Sequence, residues 1–290
     1  MIKIKLDKKQ KYLLACSYGP DSMALFSLLL KEQYNFEVAH VNYGLREEAK
    51  QETENLVEFC KKNNVIIHTL FVTEKIEKNI EEKCREIRYS YFKTIIEKEG
   101  FDGLLVAHNQ DDSFETYFLQ KKRKNIVEYY GLNFSSEMNG YYVYRPLLEY
   151  SKEELQKYND KNGVPYAIDK SNLDDKFERN KIRHNVIQKL TNLERQKLGI
   201  EILEANIELL TRHNKIIKEY PVLVDDLLKQ SDEDLAYFFT IVGRKYINDL
   251  YGCENNEERY GLCKCNLILN DIDLISYNGS MKNKHISVIT

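Results

Sequence analysis

The residues best suited to chemistry gather at the ends of short apolar runs. The segment Ala15-Cys16-Ser17-Tyr18-Gly19-Pro20-Asp21-Ser22 follows the run Tyr12 to Cys16 and precedes a helical pattern from Met23 to Lys31. It therefore joins a strand to a helix. Gly19 allows a backbone conformation that other residues resist. Ser17 and Ser22 can donate hydroxyl hydrogen bonds, and the first amides of the helix favour an anion. Asp21 does not suit a phosphate cradle unless a metal lies between, and Mg²⁺ binds through one or two carboxylates plus phosphate oxygens. The alternative is an ordinary strand–turn–helix connection with Asp21 or Ser22 as the N-cap.

Four further segments carry reactive side chains: His40-Val41-Asn42-Tyr43-Gly44-Leu45-Arg46, Arg85-Glu86-Ile87-Arg88-Tyr89, Ala107-His108-Asn109-Gln110-Asp111-Asp112-Ser113-Phe114-Glu115-Thr116, and Asp169-Lys170-Ser171-Asn172 continuing to Arg179-Asn180-Lys181-Ile182-Arg183-His184. Each also has a plain structural reading. His40 at a strand end suits a structural role, and Arg85 and Arg88 suit a solvated helix face with Glu81 four residues before Arg85. Asp111 and Asp112 could cap the helix that follows, and the run from Arg179 to His184 could be an exposed basic turn. Asp112 and Glu115 are three apart, so on a helix they share a face.

The elements that position these residues alternate. Strand candidates at Tyr12–Cys16, Phe36–Val41, Val65–Val72 and Leu104–Ala107 are separated by helical patterns, including Ile80–Lys98 with Ile87, Tyr91 and Ile95 on one face, and Ser113–Lys122. Alternation of this kind implies βαβ units, an α/β fold and a parallel sheet covered on both faces. Ligands of such sheets sit beyond the carboxyl ends of the strands. From about Asn180 the pattern changes. Leu203, Ile207 and Leu210 make an amphipathic stripe, further helix is expected from Asp234 to Tyr246, and Leu267 to Thr290 is β-like with an Asn278-Gly279 turn signal. The expected division is residues 1–195 and 196–290.

The chain has 290 residues, ample for a sizeable core, and a formal net charge of −3. That balance argues against nonspecific coating of nucleic acid and is compatible with one local basic face. Such a face is available between Lys176 and Lys197, where Lys176, Arg179, Lys181, Arg183, Lys189, Arg195 and Lys197 outweigh Glu178 and Glu194 for a net of +5. There is no apolar run of membrane-spanning length, and the N-terminus lacks the features of a signal peptide. The six cysteines are scattered, which fits a reduced, cytoplasmic setting.

The strand-to-helix segment resembles the Ser-Gly-Gly-x-Asp-Ser PP-loop of ATP pyrophosphatases, with Tyr18 in place of the first glycine. All five segments, in order over about residues 10 to 190, resemble the tRNA(Ile)-lysidine synthase family. Tyr43 stands for its second histidine in the first of the four, Asn109 for the second of its His-His pair, and the basic Lys121-Lys122-Arg123-Lys124 for its glycine-containing loop. The C-terminal part is shorter than in long members. The resemblance implies a Rossmann-like parallel sheet of the PP-loop type, followed by a helical region and a small C-terminal β-containing part that contacts tRNA. It also implies an ATP-dependent ligase that joins free lysine to the wobble cytidine of the CAU-anticodon isoleucine tRNA through an adenylated cytidine, with Mg²⁺ as cofactor. A homodimer is compatible with it, and a membrane is not expected.

The resemblance assigns Ser17, Tyr18, Gly19, Pro20, Asp21 and Ser22 to ATP, with Asp21 as the metal ligand. Arg88 and His108 are the candidate cations facing the phosphoryl group. Asp112 and Glu115 suit the ammonium of lysine, whose free amine has a pKa of ~10.4 and must lose a proton before attack. Arg179, Asn180 and Arg183 are assigned to substrate, the alternative being that Arg183 is buried against the sheet or the ATP site. Three rivals remain: a PP-loop tRNA thiolase, disfavoured because no Cys-x-x-Cys pair exists; a small-molecule amidotransferase or synthetase, which leaves the basic segment without a task; and a noncatalytic RNA-binding relative, which Tyr18 keeps open.

Overall fold

The computed structural model describes residues 2–73, 78–138, 140–168 and 178–217, isolated positions 231, 234 and 237, and the strand residues 266–268, 274–277 and 286–289. Backbone contacts divide the chain into two compact units, residues 1–116 with 131–190 and residues 117–130 with 191–290. This differs from the expected two-part division in assigning residues 117–130 to the second unit.

The first unit holds six strands: β1 (Lys11–Ala15), β2 (Asn35–Asn42), β3 (Ile67–Phe71), β4 (Gly103–Val106), β5 (Ser135–Met138) and β6 (Tyr141–Tyr144). Their order in the sheet is β3-β2-β1-β4-β6-β5. All neighbours are parallel except β5 and β6, which pair as an antiparallel hairpin with Met138 opposite Tyr141. The hairpin is absent from the sequence reading, although Asn139-Gly140 is the turn dipeptide such a connection favours. The helices are α1 (Pro20–Lys31), α2 (Glu48–Lys62), α3 (Ile80–Glu99), α4 (Gln110–Lys122), α5 (Lys152–Asn162) and α6 (Glu178–Asn185), followed by a 3₁₀ turn at Ile187–Lys189. The break between units falls inside α4.

Alternation along β1 sends Leu14 to one face of the sheet and Leu13 to the other. Leu14 packs with Met23, Leu25, Phe26 and Leu28 of α1, Leu56 and Cys60 of α2, and Leu155 of α5. Leu13 packs with Leu104, Val143 and the α3 residues Tyr89, Phe92, Ile95 and Ile96. The buried face of α3 is thus set by Tyr89, Phe92, Ile95 and Ile96. The expected Ile87–Tyr91–Ile95 stripe is rotated from it, and Ile87 and Tyr91 are only half-buried. β1 feeds α1 and then β2 on one side, whereas β4 returns on its other side. The carboxyl ends of β1 and β4 therefore flank a topological switch point.

In the second unit, α7 (Asn192–Ile217) buries Leu198, Ile202 and Leu209. The expected stripe of Leu203, Ile207 and Leu210 instead stands 57, 55 and 59% exposed. Both stripes have helical spacing, so periodicity alone does not select the buried one. The C-terminal residues form an antiparallel sheet of β7 (Asn266–Ile268), β8 (Leu274–Tyr277) and β9 (Ile286–Ile289). Asn278-Gly279 and most of Asp234 to Tyr246 lie outside the described residues. Among the described residues no helix is long and apolar enough to cross a membrane.

Candidate active site

The loop between β1 and α1 is braced by its own polar groups. Ser22 Oγ donates to the Gly19 carbonyl at 3.0 Å and accepts from the Ser17 amide at 3.3 Å. The Gly19 amide donates to Ser17 Oγ at 3.3 Å. Gly19 is the N-cap of α1 with φ −78 and ψ 165, and Pro20 opens the helix. Neither Asp21 nor Ser22 is the cap, and Gly19 occupies ordinary extended backbone. The unusual conformation belongs to Tyr18, at φ 65. Its ring is 6% exposed within the core below the sheet, and its carbonyl accepts from the Ala167 amide at 2.9 Å. Burial of the ring opposes the cost of a left-handed non-glycine residue.

Two cavities meet at this loop. One, of about 260 Å³, has the apolar walls Ala39, Val41, Phe92 and Val106 and the polar groups Arg88, His108 and Asp112. The other, of about 250 Å³, carries Arg46, Lys152 and Arg183 together with Glu52. Ser17, Asp21 and Ser22 line both. One chamber is suited to a flat apolar group and the other to an anion, joined at the phosphate-type loop. Tyr18 lines neither, so any contribution it makes to a ligand comes through its backbone.

Asp21 sits at the junction. Its Oδ1 is buried with no hydrogen-bond partner. Burial pushes its carboxyl up to about 6; Asp112 adds to the rise, while Lys152, a hydrogen bond with Asn109 and Arg183 oppose it. A buried carboxylate oxygen with no donor is a costly arrangement that a cation relieves. Among the described residues no group of three or more His, Cys, Asp or Glu could hold a metal by itself. Asp21 therefore fits Mg²⁺ in the manner of an ion that takes its remaining ligands from phosphate and water.

α4 begins with a reciprocal cap. The Asn109 amide donates to Asp112 Oδ2 at 2.9 Å, and the Asp112 amide donates to Asn109 Oδ1 at 3.1 Å. Asn109, not Asp111 or Asp112, is the capping residue, a task its short amide side chain performs well. Glu115, one turn along, is 3% exposed, and Arg183 of α6 donates to it through Nε. Arg183 Nη2 also lies 3.6 Å from Asp112, and the arginine side chain is 15% exposed. The Glu115 charge is thus matched from within the protein. Asp112 lines the first cavity, and Glu115 beside it is met in this structure by Arg183. Arg183 and Asn180 are half-buried, with Arg183 on the wall of the second cavity, whereas Arg179 is exposed.

The surroundings of His108 disfavour its charged form in the free protein. Burial lowers its pKa to about 4; Arg145, Arg85 and Arg88 add to the fall, and Asp112 opposes it. Arg145 Nε donates to His108 Nδ1 at 3.3 Å. Arg88 remains the positive group on the wall of the first cavity, with its guanidinium 5.5 Å from the Tyr89 ring centre. His40 is structural: Nδ1 bonds the Cys16 carbonyl at 2.8 Å and Nε2 bonds Thr53 Oγ1 at 2.9 Å. Tyr43 lines the cavity and donates to the Cys84 carbonyl at 2.8 Å. Asp169 to Asn172 and Lys176 lie outside the described residues. Lys152 and Arg145 lie outside the five segments singled out by type and spacing. Lys152 opens α5 behind the capping residue Ser151, and Arg145 directly follows β6. Its place at a strand's carboxyl end was the available signal.

Residues 2–190 match the PP-loop domain family. The chain is 34% identical to a tRNA(Ile)-lysidine synthase of Ureaplasma parvum serovar 3, over 97% of this chain and 92% of that protein. It is 33% identical to one of Mesoplasma florum, over 77% of this chain and 58% of that protein. Among solved structures it is similar to a U34-tRNA thiolase from Methanococcus maripaludis, with a TM-score of 0.56 and 16% identity over 71% of this chain and 73% of that one. At that identity the likeness speaks for the fold alone. A family model spanning most of the chain, a relative matched nearly end to end, and a phosphate-type loop at the switch point of the sheet agree, and the chain belongs to the tRNA(Ile)-lysidine synthase family of PP-loop proteins.

Proposed function

We propose that this protein uses ATP to convert the wobble cytidine of the CAU-anticodon isoleucine tRNA to lysidine. The observation that carries the reading is the partnerless buried oxygen of Asp21 at the junction of an apolar and a cationic cavity. Adenosine suits the first chamber and pyrophosphate the second, which leaves the scissile α–β bond beside Ser17, Asp21 and Ser22. The cytidine O2 attacks the α-phosphorus and pyrophosphate leaves. The ε-amine of free lysine then attacks the activated base carbon, loses a proton, and AMP departs. Mg²⁺ held by Asp21 would neutralise charge on the phosphate oxygens. Arg88 faces the same region and suits the charge that grows on those oxygens. Asp112, on the cavity wall, suits the incoming amine, with Glu115 one turn along and Arg183 of α6 beside both. Arg179 and Lys181, both exposed, suit tRNA phosphates. The work belongs in the cytoplasm, and a homodimer is compatible with it, which light scattering decides.

The test is incorporation of labelled lysine into isoleucine CAU tRNA beside initiator methionine tRNA. Both carry the CAU anticodon, so a lysidine synthase must reject the second by features elsewhere. Modification of the first only is expected. Equal modification of both, or none with ATP consumed, would contradict the reading. An iron assay on the purified protein separates the thiolase rival.

A further inference from the structure

Two parallel neighbours in the sheet bring Arg145 beside His108, which lines the first cavity. β4 ends at Val106, two residues before His108, and β6, in register with Leu105 opposite Tyr144, runs directly into Arg145. Arg145 is tied down on every side. Its amide donates to the Phe134 carbonyl at 2.8 Å, Nη1 to the Asn133 carbonyl at 2.9 Å, and Nη2 to Ser136 Oγ at 3.0 Å. With Nη1 and Nη2 so held, Nε–H is aimed at His108 Nδ1 at 3.3 Å.

A guanidinium has only donors. Nδ1 must therefore accept, and the ring proton of a neutral His108 must sit on Nε2. We propose that Arg145 is a positioning residue: it locks His108 as the neutral Nε2–H tautomer, so that the imidazole presents a hydrogen-bond donor to the phosphate oxygens that gain charge during adenylation. The catalytic half of this rests on the function proposed above; the tautomer does not.

The charged surroundings agree with the geometry. Asp112 comes from α4, Arg85 and Arg88 from α3, and Arg145 from the end of β6; burial and the three arginines together outweigh the one carboxylate and keep the ring uncharged. A fixed neutral donor needs no reorganisation when the phosphorane forms. An imidazole free to carry its proton on Nδ1 would turn a lone pair toward the same oxygens.

The experiment is long-range ¹H–¹⁵N correlation on protein labelled at histidine nitrogen, with His108 assigned among the six histidines by His108→Gln. The expected wild-type signature is an unprotonated Nδ1 and a protonated Nε2, unchanged between pH 5.5 and 8. An Nδ1–H tautomer or an imidazolium at pH 7 would overturn the proposal, and this measurement needs no variant to fold. In Arg145→Leu the tautomers should mix, and the ring should titrate closer to the ordinary ~6.5. Loss of one preorganised donor costs about 100-fold or more in turnover; loss of its fixed tautomer alone should cost about tenfold in pyrophosphate release at pH 8. That loss should shrink as the pH falls and the ring becomes a cation with donors on both nitrogens. Adding Arg145→Leu to His108→Gln should cost little more than His108→Gln alone. Additive losses would remove His108 from Arg145's effect. A correct tautomer in a protein that fails the lysine assay would sink the function and leave the positioning intact.

Discussion

Replacing Asp21 with Asn should stabilise the free protein at neutral pH while abolishing adenylation. The Asp21 carboxyl rises from an ordinary 3.8 to about 6, mainly because burial penalises its charge. A rise of about 2.2 corresponds to about 3 kcal/mol. The sign follows from proton uptake. Between pH 3.8 and about 6 the folded state holds a proton that the unfolded state has lost, so stability falls as the pH rises through that window and stays lower above it. Asn has no such charge to strand. The difference between variant and wild type should be small below pH 4 and grow to its full value above about pH 6.5. Asp21 borders two cavities, so about 3 kcal/mol is the upper bound, equivalent to about 6–12 °C in melting temperature for a unit of this size. Melting curves at several pH values, followed by circular dichroism, measure it; the other titrating groups are common to both proteins and cancel. Mg²⁺ with ATP should raise the wild-type melting temperature and leave the variant's nearly unchanged. A variant less stable than wild type at pH 8, or a difference independent of pH, would refute the account of Asp21 as a carboxylate strained until a cation arrives.

Three other outcomes follow from the same geometry. Arg183→Met strands the buried Glu115 and should destabilise the first unit by about 3 kcal/mol; calorimetry checks this, and an unfolding curve like that of wild type would show the pair to be dispensable. Arg179→Gln with Lys181→Gln touches exposed groups, so stability should hold while tRNA affinity falls and its salt slope flattens by roughly two counterions; filter binding at two salt concentrations reads it, and an unchanged slope would remove α6 from the RNA surface. Tyr18→Gly relieves about 1 kcal/mol of left-handed backbone cost but empties a core position at a cost of about 3–5 kcal/mol. The larger effect should win, with a net loss of about 2–4 kcal/mol in chemical denaturation; a more stable variant would show the strain to exceed the packing.

The alternation of strands and helices was legible because it is local. A strand shows as a short apolar run and a helix as a four-residue spacing, and both appear within a few turns of chain. The phosphate-type loop was legible for the same reason, as were His108 at the end of β4 and Asp112 and Glu115 on one face of α4. The β5–β6 hairpin escaped because its strands are four residues each and Ser135 to Met138 has no apolar run. The buried stripe of α7 escaped because two apolar stripes share the helix.

By itself, then, the sequence determined the α/β layout, the place of the phosphate-type loop and the set of side chains gathered around it. Tertiary structure decided their charges and partners. Glu115 and Arg183 lie 68 positions apart, and His108 and Arg145 lie 37 apart. Whether a carboxylate waits for an ammonium or already holds a guanidinium depends on which distant segment arrives beside it. Whether an imidazole is a cation or a neutral donor depends on how much water the fold removes around it. Both are properties of three-dimensional neighbourhood, set by Coulomb interaction and desolvation, and neither is written in the spacing of residues along the chain.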